Sequence, residues 1–548
     1  MAVTKKSIVF FFLLFLIQVL HAQERYVVFF SDKEGSTFST DRPLEFLSQR
    51  AIDRREKAGF DVSDTDFPVN QNYLDSLTKH EITYHYTSRW FNAALVEVEE
   101  SKLEAIVDKS FIASYDLVAK RINNRNRYAD NPSPENLNFN GADPDASSSS
   151  SNVQLNMLAA KAMHEDGYTG GGKWIAVFDG GFNGVNESNV FKHLFNNDLI
   201  IDTEDIVTGG KDVFLRDDHG TQVLSCISSN YNEQMVGTGY GANISLYITE
   251  DIESEFRIEE YNWLIAAEKA DSSGVDIISC SLGYDSFFDD SSMNYKVADL
   301  DGKTAVVTRA AEMASERGML VVNSAGNALD RQIWDLVSFP SDGENVLSVA
   351  SVTGNREKSG FSMTGPTADN RIKPDVAAMG SSTVVVDDSG NIVKNNGTSF
   401  SCPLIAGFSA SLWQAFPDLN NKELRQLILE SSSQSDSPDN SLGYGIPNYY
   451  KAIGEVLSIE SMAKEQIEIF PNPIMGNIIS IRFNAVPTNG ELNFELYNSE
   501  GKLIVSEKRQ KVISNSSVQL EIPNLEKGIY ILSIIGSDSY NGFKLLKF

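Results

Sequence analysis

Short apolar runs with almost no polar interruption punctuate the middle of the chain: Trp174-Ile175-Ala176-Val177-Phe178, Ile244 to Ile248, Val275 to Ser279, Met319 to Val322 and Val346 to Val352. Helix-length segments such as Leu155 to Glu165, Glu260 to Ala270 and Ala305 to Arg317 lie around and between them. Strands that are apolar on both faces need cover on both faces, and alternating helices supply it. The pattern therefore predicts an α/β fold, a doubly wound parallel sheet, over residues 153–457. The flanks read differently. Arg25 to Phe30 and Phe91 to Val98 are strand-like, Pro43 to Lys57 is helix-like, and a short helical stretch runs to Val107, which makes a small α+β unit within residues 23–120. From Asn123 to Asn152 the chain is polar and ends in Ser148 to Ser151, too poor in apolar side chains to pack, so residues 121–152 are expected to be a linker. Beyond residue 458 the period is 2, in Ile467-Glu468-Ile469-Phe470, Leu492-Asn493-Phe494-Glu495-Leu496 and Gly528 to Ile534, with turns such as Asn498 to Gly501. That alternation predicts a small β-sandwich over residues 458–548.

At the N-terminus Lys5 and Lys6 precede an uncharged apolar run from Ile8 to Leu20 that ends at His21-Ala22-Gln23. This is the pattern of a cleavable signal peptide, residues 1–22. The run is shorter than the roughly 20 residues a membrane helix needs, so no integral membrane span is expected. With 46 Lys and Arg against 75 Asp and Glu in 548 residues, the net charge of −29 repels phosphates and anionic headgroups and argues against nucleic acid as a partner. The three cysteines, Cys226, Cys280 and Cys402, cannot form a closed disulfide set; one pair is possible, but the plainer reading is three small buried hydrophobes.

Three local patterns place a reactive side chain just past a strand or at a helix start. Asp179 follows the run Trp174 to Phe178 and precedes Gly180-Gly181-Phe182. An acid there sits at the carboxyl edge of the sheet, where open α/β folds place their sites, although a turn cap is the plainer alternative. His219 lies in Asp217-Asp218-His219-Gly220-Thr221, with Val223, Leu224 and Ile227 continuing at helical spacing. Ser399 lies in Gly397-Thr398-Ser399-Phe400-Ser401-Cys402-Pro403, ahead of a helix face marked by Leu404, Phe408, Leu412 and Phe416. A serine there is usually a cap, but the same geometry aims backbone N–H groups and the helix dipole at an oxyanion beside it. A nucleophilic serine requires a base and an orienting acid, and the chain offers all three in the order Asp, His, Ser. No histidine follows His219, and Ser401 occupies the second glycine position of Gly-x-Ser-x-Gly, which excludes the α/β-hydrolase arrangement.

Ala176-Val177-Phe178-Asp179-Gly180-Gly181-Phe182, His219-Gly220-Thr221-Gln222-Val223 and Gly397-Thr398-Ser399-Phe400-Ser401-Cys402-Pro403 together resemble the three signatures of the subtilisin-like serine proteases. The resemblance implies a subtilisin-like fold in which Asp179 orients the imidazole, His219 is general base and then acid, and Ser399 is the nucleophile. It implies that Asn327, in Val321-Val322-Asn323-Ser324-Ala325-Gly326-Asn327, supplies an oxyanion-hole amide. It also implies that Ser281, Leu282 and Gly283 pair with substrate backbone while Ala325 and Gly326 complete the pocket wall. Phe400, Ser401-Cys402 and Gln222 depart from the commoner residues of the family without removing a reacting group. No cofactor is required; a structural calcium ion is allowed, with Asp289, Asp290, Asp299 and Asp301 as candidate ligands, against the plainer reading of a solvated acidic loop. By position, the first folded unit resembles a propeptide acting as an intramolecular inhibitor. Ile469-Phe470-Pro471-Asn472-Pro473, Gly528-Ile529-Tyr530 and Lys544 to Phe548 resemble the sorting domains of type IX secretion.

The expectation is thus a serine endopeptidase made as a zymogen, acting on polypeptide substrates. The type IX machinery would export it through the periplasm of a Gram-negative bacterium to the cell surface or the medium. A non-catalytic binding protein on the same scaffold, and a serine esterase with the same triad, are the competing readings.

Overall fold

A computed structural model describes residues 24–120, 150–328, 334–454, 467–483, 492–498, 502–509, 516–535 and 540–547. The segment read as a signal peptide, residues 121–149 of the expected linker and positions 499–501 of the expected turn lie outside them.

The centre of the molecule is a seven-stranded sheet in the order Val376–Met379, Leu347–Val352, Leu320–Ser324, Ile277–Cys280, Trp174–Asp179, Asn243–Ile248 and Ile200–Asp205. Every pairing in it is parallel. Alternate residues of one strand feed two separate cores. Ile175 and Val177 join Val223, Leu224, Leu404 and Phe408, from the helices His219–Ser228 and Thr398–Ala415. Ala176 and Phe178 join Trp263, Leu264, Ala310 and Ala311, from the helices Ile258–Ser273 and Val306–Glu316. Both faces being covered is why these strands carry unbroken apolar runs.

Two strands of this sheet escape the sequence pattern. Ile200–Asp205 is an edge strand, half-exposed over most of its length, and Val376–Met379 is a four-residue run just after Pro374. The stretch Leu155 to Glu165 is two helices, Asn152–Met157 and Ala160–Glu165, broken at Ala159, whose φ of 56° lies in the left-handed region. Asn152, expected in the linker, therefore already begins a helix.

The N-terminal unit is an antiparallel sheet ordered Thr83–Ser88, Ala93–Val98, Glu24–Phe30, Ile112–Ala119. The helix expected over Pro43 to Lys57 is a 3-10 turn, Pro43–Glu45, followed by Gln49–Ala58, because the Ser48 side chain accepts from the Ala51 N–H and starts the helix there. One face of the sheet encloses its own small core, and the other places Val27, Trp90, Leu95 and Val118 in the core they share with Trp263 and Ala310.

The C-terminal unit is the expected pair of antiparallel sheets: Ile467–Phe470, Ile478–Phe483 and Ser516–Glu521 over Leu503–Arg509, Leu492–Asn498, Gly528–Ile535 and Tyr540–Lys547. They enclose Ile479, Ile481, Phe494, Leu496, Leu520 and Leu532. Asn472, between two prolines, accepts the backbone N–H of Leu546 at 2.9 Å and ties the start of this unit to its last strand. Among the described residues no helix is long and apolar enough to cross a membrane.

Candidate active site

The order in which the strands are laid down determines where a crevice opens. After Trp174–Asp179 the chain builds toward one edge, and from Ile277–Cys280 it builds toward the other, so the switch point lies between these two adjacent strands. Cys280 pairs in register with Phe178, which sets Ser281 beside Asp179 at the carboxyl edge. Side chains alternate along a strand, so Asp179 shares a face with Ile175 and Val177, under the helix His219–Ser228.

That helix begins at His219, where the Asp217 carboxylate accepts the backbone N–H groups of Asp218 and His219. Gly220 permits the approach: a Cβ there would lie 2.3 Å from the Gly181 carbonyl oxygen and 2.9 Å from the Asp179 Cβ. The result is a hydrogen bond of 2.9 Å between His219 Nδ1 and Asp179 Oδ1. Asp179 is fully buried and His219 is 8% exposed. A carboxylate partner makes Nδ1 the donor, so in the neutral imidazole the lone pair is at Nε2, where a base needs it. Asp179 Oδ1 also accepts the Gly180 N–H at 2.9 Å.

Ser399 is the second residue of the helix Thr398–Ala415 and is 6% exposed. The ring of Phe400, next in the chain, lies 6.0 Å from the imidazole of His219. The two helix starts are therefore neighbours. Ser399 Oγ donates to the Ser281 carbonyl oxygen at 3.4 Å, and Ser281 Oγ donates to the Ser399 carbonyl oxygen at 2.8 Å. Behind it, Cys402 Sγ donates toward the carbonyls of Cys280 and Val322, pinning the helix to two central strands. Burial pushes this thiol up to about 12, and all three cysteines are buried and free of disulfides, as expected.

Asn327 joins the same cluster. Its side-chain oxygen accepts the Thr398 N–H at 3.0 Å and the Thr398 hydroxyl at 3.1 Å, leaving the NH2 as the end of the amide turned away from Thr398. Gly326 before it has a φ of 103°, a conformation that suits glycine alone, and a Cβ there would lie 2.4 Å from Met363 Sδ. Ala325 and Gly326 stand beside Ser281, Leu282 and Gly283 through the pairing of Cys280 with Asn323. Ser338 is a residue that sequence reasoning missed. Cβ atoms built on Gly283 and Gly326 would lie 2.3 Å and 3.0 Å from its Oγ, so it sits behind both walls, and that hydroxyl is buried with no hydrogen-bond partner.

The acidic loop does not assemble as a ligand set. Asp290 pairs with Lys120 and accepts from Ser292, Asp299 accepts the Lys296 N–H, and Asp301 accepts from Lys303 and Thr304. These carboxylates cap turns. Among the described residues the acidic group close enough to share a cation is Glu250, Glu255 and Glu259.

Residues 25–134 match the family described as Peptidase S8 propeptide domain, Bacteroidota, and residues 468–546 match the Secretion system C-terminal sorting domain. Subtilisin DY of Bacillus licheniformis is 25% identical over 290 residues, covering 53% of this chain and 93% of its own. Subtilisin E of Bacillus subtilis is 26% identical over 294 residues, covering 53% and 68%. The fold is shared with the epidermin leader peptide processing serine protease of Staphylococcus aureus, with a TM-score of 0.54 at 17% identity over 79% of this chain and 99% of that one. The segment that carries Asp179, His219, Asn327 and Ser399, residues 170–445, matches the Subtilase family, and the chain belongs to that family: it is a secreted serine endopeptidase made with a propeptide.

Proposed function

We propose that this subtilase cleaves polypeptides with Ser399 as nucleophile, His219 as general base and then general acid, and Asp179 as the group that orients the imidazole and stabilises its charged form. The observation that carries the assignment is the bond from His219 Nδ1 to the buried Asp179 carboxylate, beside a serine at the start of a neighbouring helix. Rotation of the Ser399 hydroxyl away from the Ser281 carbonyl delivers its proton to Nε2 as the oxygen attacks the scissile carbonyl. The Asn327 NH2 and the backbone N–H at the helix start then receive the oxyanion. His219 returns the proton to the leaving amine, and water repeats the sequence on the acyl-enzyme. No cofactor takes part in these steps. Ser281, Leu282 and Gly283 form an edge on which an extended peptide can add as a strand, with Ala325, Gly326 and Ser338 around the side chain that precedes the cut.

The N-terminal unit serves as an intramolecular inhibitor. Its last strand ends at Ala119, and Lys120 pairs with Asp290 at 2.6 Å, in the loop that follows Ser281-Leu282-Gly283. The chain thus leaves the propeptide close to the substrate edge, and maturation cuts fall in residues 121–149. The C-terminal unit addresses the protein to the type IX machinery of a Gram-negative bacterium, by way of the periplasm, for release or display at the surface.

Labelling by a fluorophosphonate probe tests the triad. The matured protein is expected to react and to degrade unfolded casein, with both properties lost in Ser399→Ala. Absence of labelling would support a binding protein, and hydrolysis of short esters without cleavage of casein would support an esterase.

A further inference from the structure

Glu259 is in the first turn of the helix Ile258–Ser273, fully buried, and neither of its carboxylate oxygens has a hydrogen-bond partner. The Asp251 N–H faces it without completing a bond. A buried carboxylate in that condition is costly unless something neutralises it. The groups around it make matters worse. Glu255, Glu250 and Asp251 add further negative charge around it. Tyr284, immediately after Gly283, faces the same cluster, and its buried hydroxyl has no partner.

One carboxylate oxygen each from Glu250, Glu255 and Glu259 lie within 4.8 Å of one another. Oxygens bound to a single calcium ion at about 2.3–2.6 Å are at most about 5 Å apart, so this spacing lets all three reach one ion. The donor set is oxygen only, which disfavours zinc and copper, and the ligands come from a loop and a helix rather than a rigid octahedral frame, which favours calcium over magnesium.

We propose that Glu250, Glu255 and Glu259 bind a calcium ion that fastens the loop 250–255 to the helix behind it. The loop starts at the active site: the Thr249 N–H donates to the Asp179 carbonyl at 3.1 Å, and Asn262, one turn after Glu259, donates to the Thr249 carbonyl at 3.1 Å. Asp289 holds the far end by accepting the Glu255 N–H at 3.1 Å. The ion therefore sits between the strand end that carries Asp179 and the residue that follows Ser281-Leu282-Gly283, where it stiffens one side of the cleft. This lies beyond the assigned chemistry and does not depend on it.

The test uses the full chain carrying Ser399→Ala, which is measured without autolysis whether or not the triad assignment holds. Calcium binding is followed by calorimetry and by terbium luminescence, and thermal unfolding is measured in EDTA and in millimolar calcium. The parent is expected to bind calcium and to melt higher with it. Glu259→Gln is expected to lose one bound ion and that part of the thermal shift, and Glu255→Gln, at a half-buried position, to weaken binding at least tenfold. Should Glu259→Gln fail to fold, Glu255→Gln decides alone. Equal calcium stoichiometry and equal shifts in parent and variants would overturn the proposal, as would a parent that binds no calcium while Glu259→Gln melts higher in EDTA.

Discussion

Asn327 shows how a single side chain acquires a direction. Its amide oxygen is fastened by two bonds to Thr398, so only the NH2 end remains to meet a developing oxyanion. Asn327→Ala is expected to lower kcat by ~10² to 10³ with a small effect on KM, since the bond forms mainly in the transition state; steady-state kinetics on a peptide substrate checks this. The general base is active only as neutral imidazole, so kcat/KM is expected to rise with pH through the titration of His219, and a flat profile from pH 5 to 9 would remove it from that role. That Asp179, His219, Ser399 and Asn327 would lie together was legible because each stands in a local motif, and their proposed roles await the kinetics above. Ser338 was not, because nothing nearby in the chain marks it: its place comes from Gly283, distant in sequence, and from Gly326, both of which would meet its hydroxyl if they carried a side chain.

At the scale of elements, helix starts do the positioning. Gly220 lets the His219 helix approach the Trp174–Asp179 strand, and an added methyl group would overlap the Gly181 carbonyl and the Phe182 ring. Gly220→Ala is expected to destabilise the catalytic unit by ~1–3 kcal/mol, as overpacking does, and to lower kcat by moving the imidazole from Asp179. Denaturant unfolding and peptide kinetics measured together on the variant separate the two effects. The Thr398–Ala415 helix is pinned through Cys402, whose thiol reaches two strand carbonyls. Strands buried on both faces were readable as apolar runs, except Val376–Met379, which is equally buried but only four residues long. The edge strand Ile200–Asp205 was not, because its half-exposed positions take polar side chains, and the break at Ala159 was not, because an alanine ordinarily continues a helix.

For the molecule as a whole, the decisive interface joins the propeptide to the helices Ile258–Ser273 and Val306–Glu316. Asp271 is fully buried among three propeptide arginines, Arg54, Arg55 and Arg89. In return Arg317 pairs with the propeptide's Asp66 at 3.0 Å and lies over the rings of Phe60 and Trp90. Asp271→Asn removes the carboxylate that the three guanidinium groups share, leaving Asp66 to Arg55 and Glu268 to Arg89 but no ion-pair partner among these to Arg54. It is expected to destabilise the zymogen by ~3–5 kcal/mol, read from denaturant unfolding of the full chain in the Ser399→Ala background. Burial alone would raise the pKa of Asp271, but Arg55, Arg89 and Arg54 outweigh it and bring it down to about 2. A depressed carboxylate contributes stability that is complete above its ordinary value near 4 and is lost as pH falls through about 2. The zymogen interface is therefore expected to hold at mildly acidic pH and to weaken below about 4; in Asp271→Asn this part of the acid dependence disappears. The amino-acid sequence by itself determined the candidate reacting groups, the central strands and the division into propeptide, protease and β-sandwich, because these rest on local patterning and short motifs. Only the tertiary structure decided that Arg54, Arg55 and Arg89 meet Asp271, and that Glu250, Glu255 and Glu259 converge. The compensation of buried charge depends on which distant side chains the fold encloses together, and chain spacing carries no record of that.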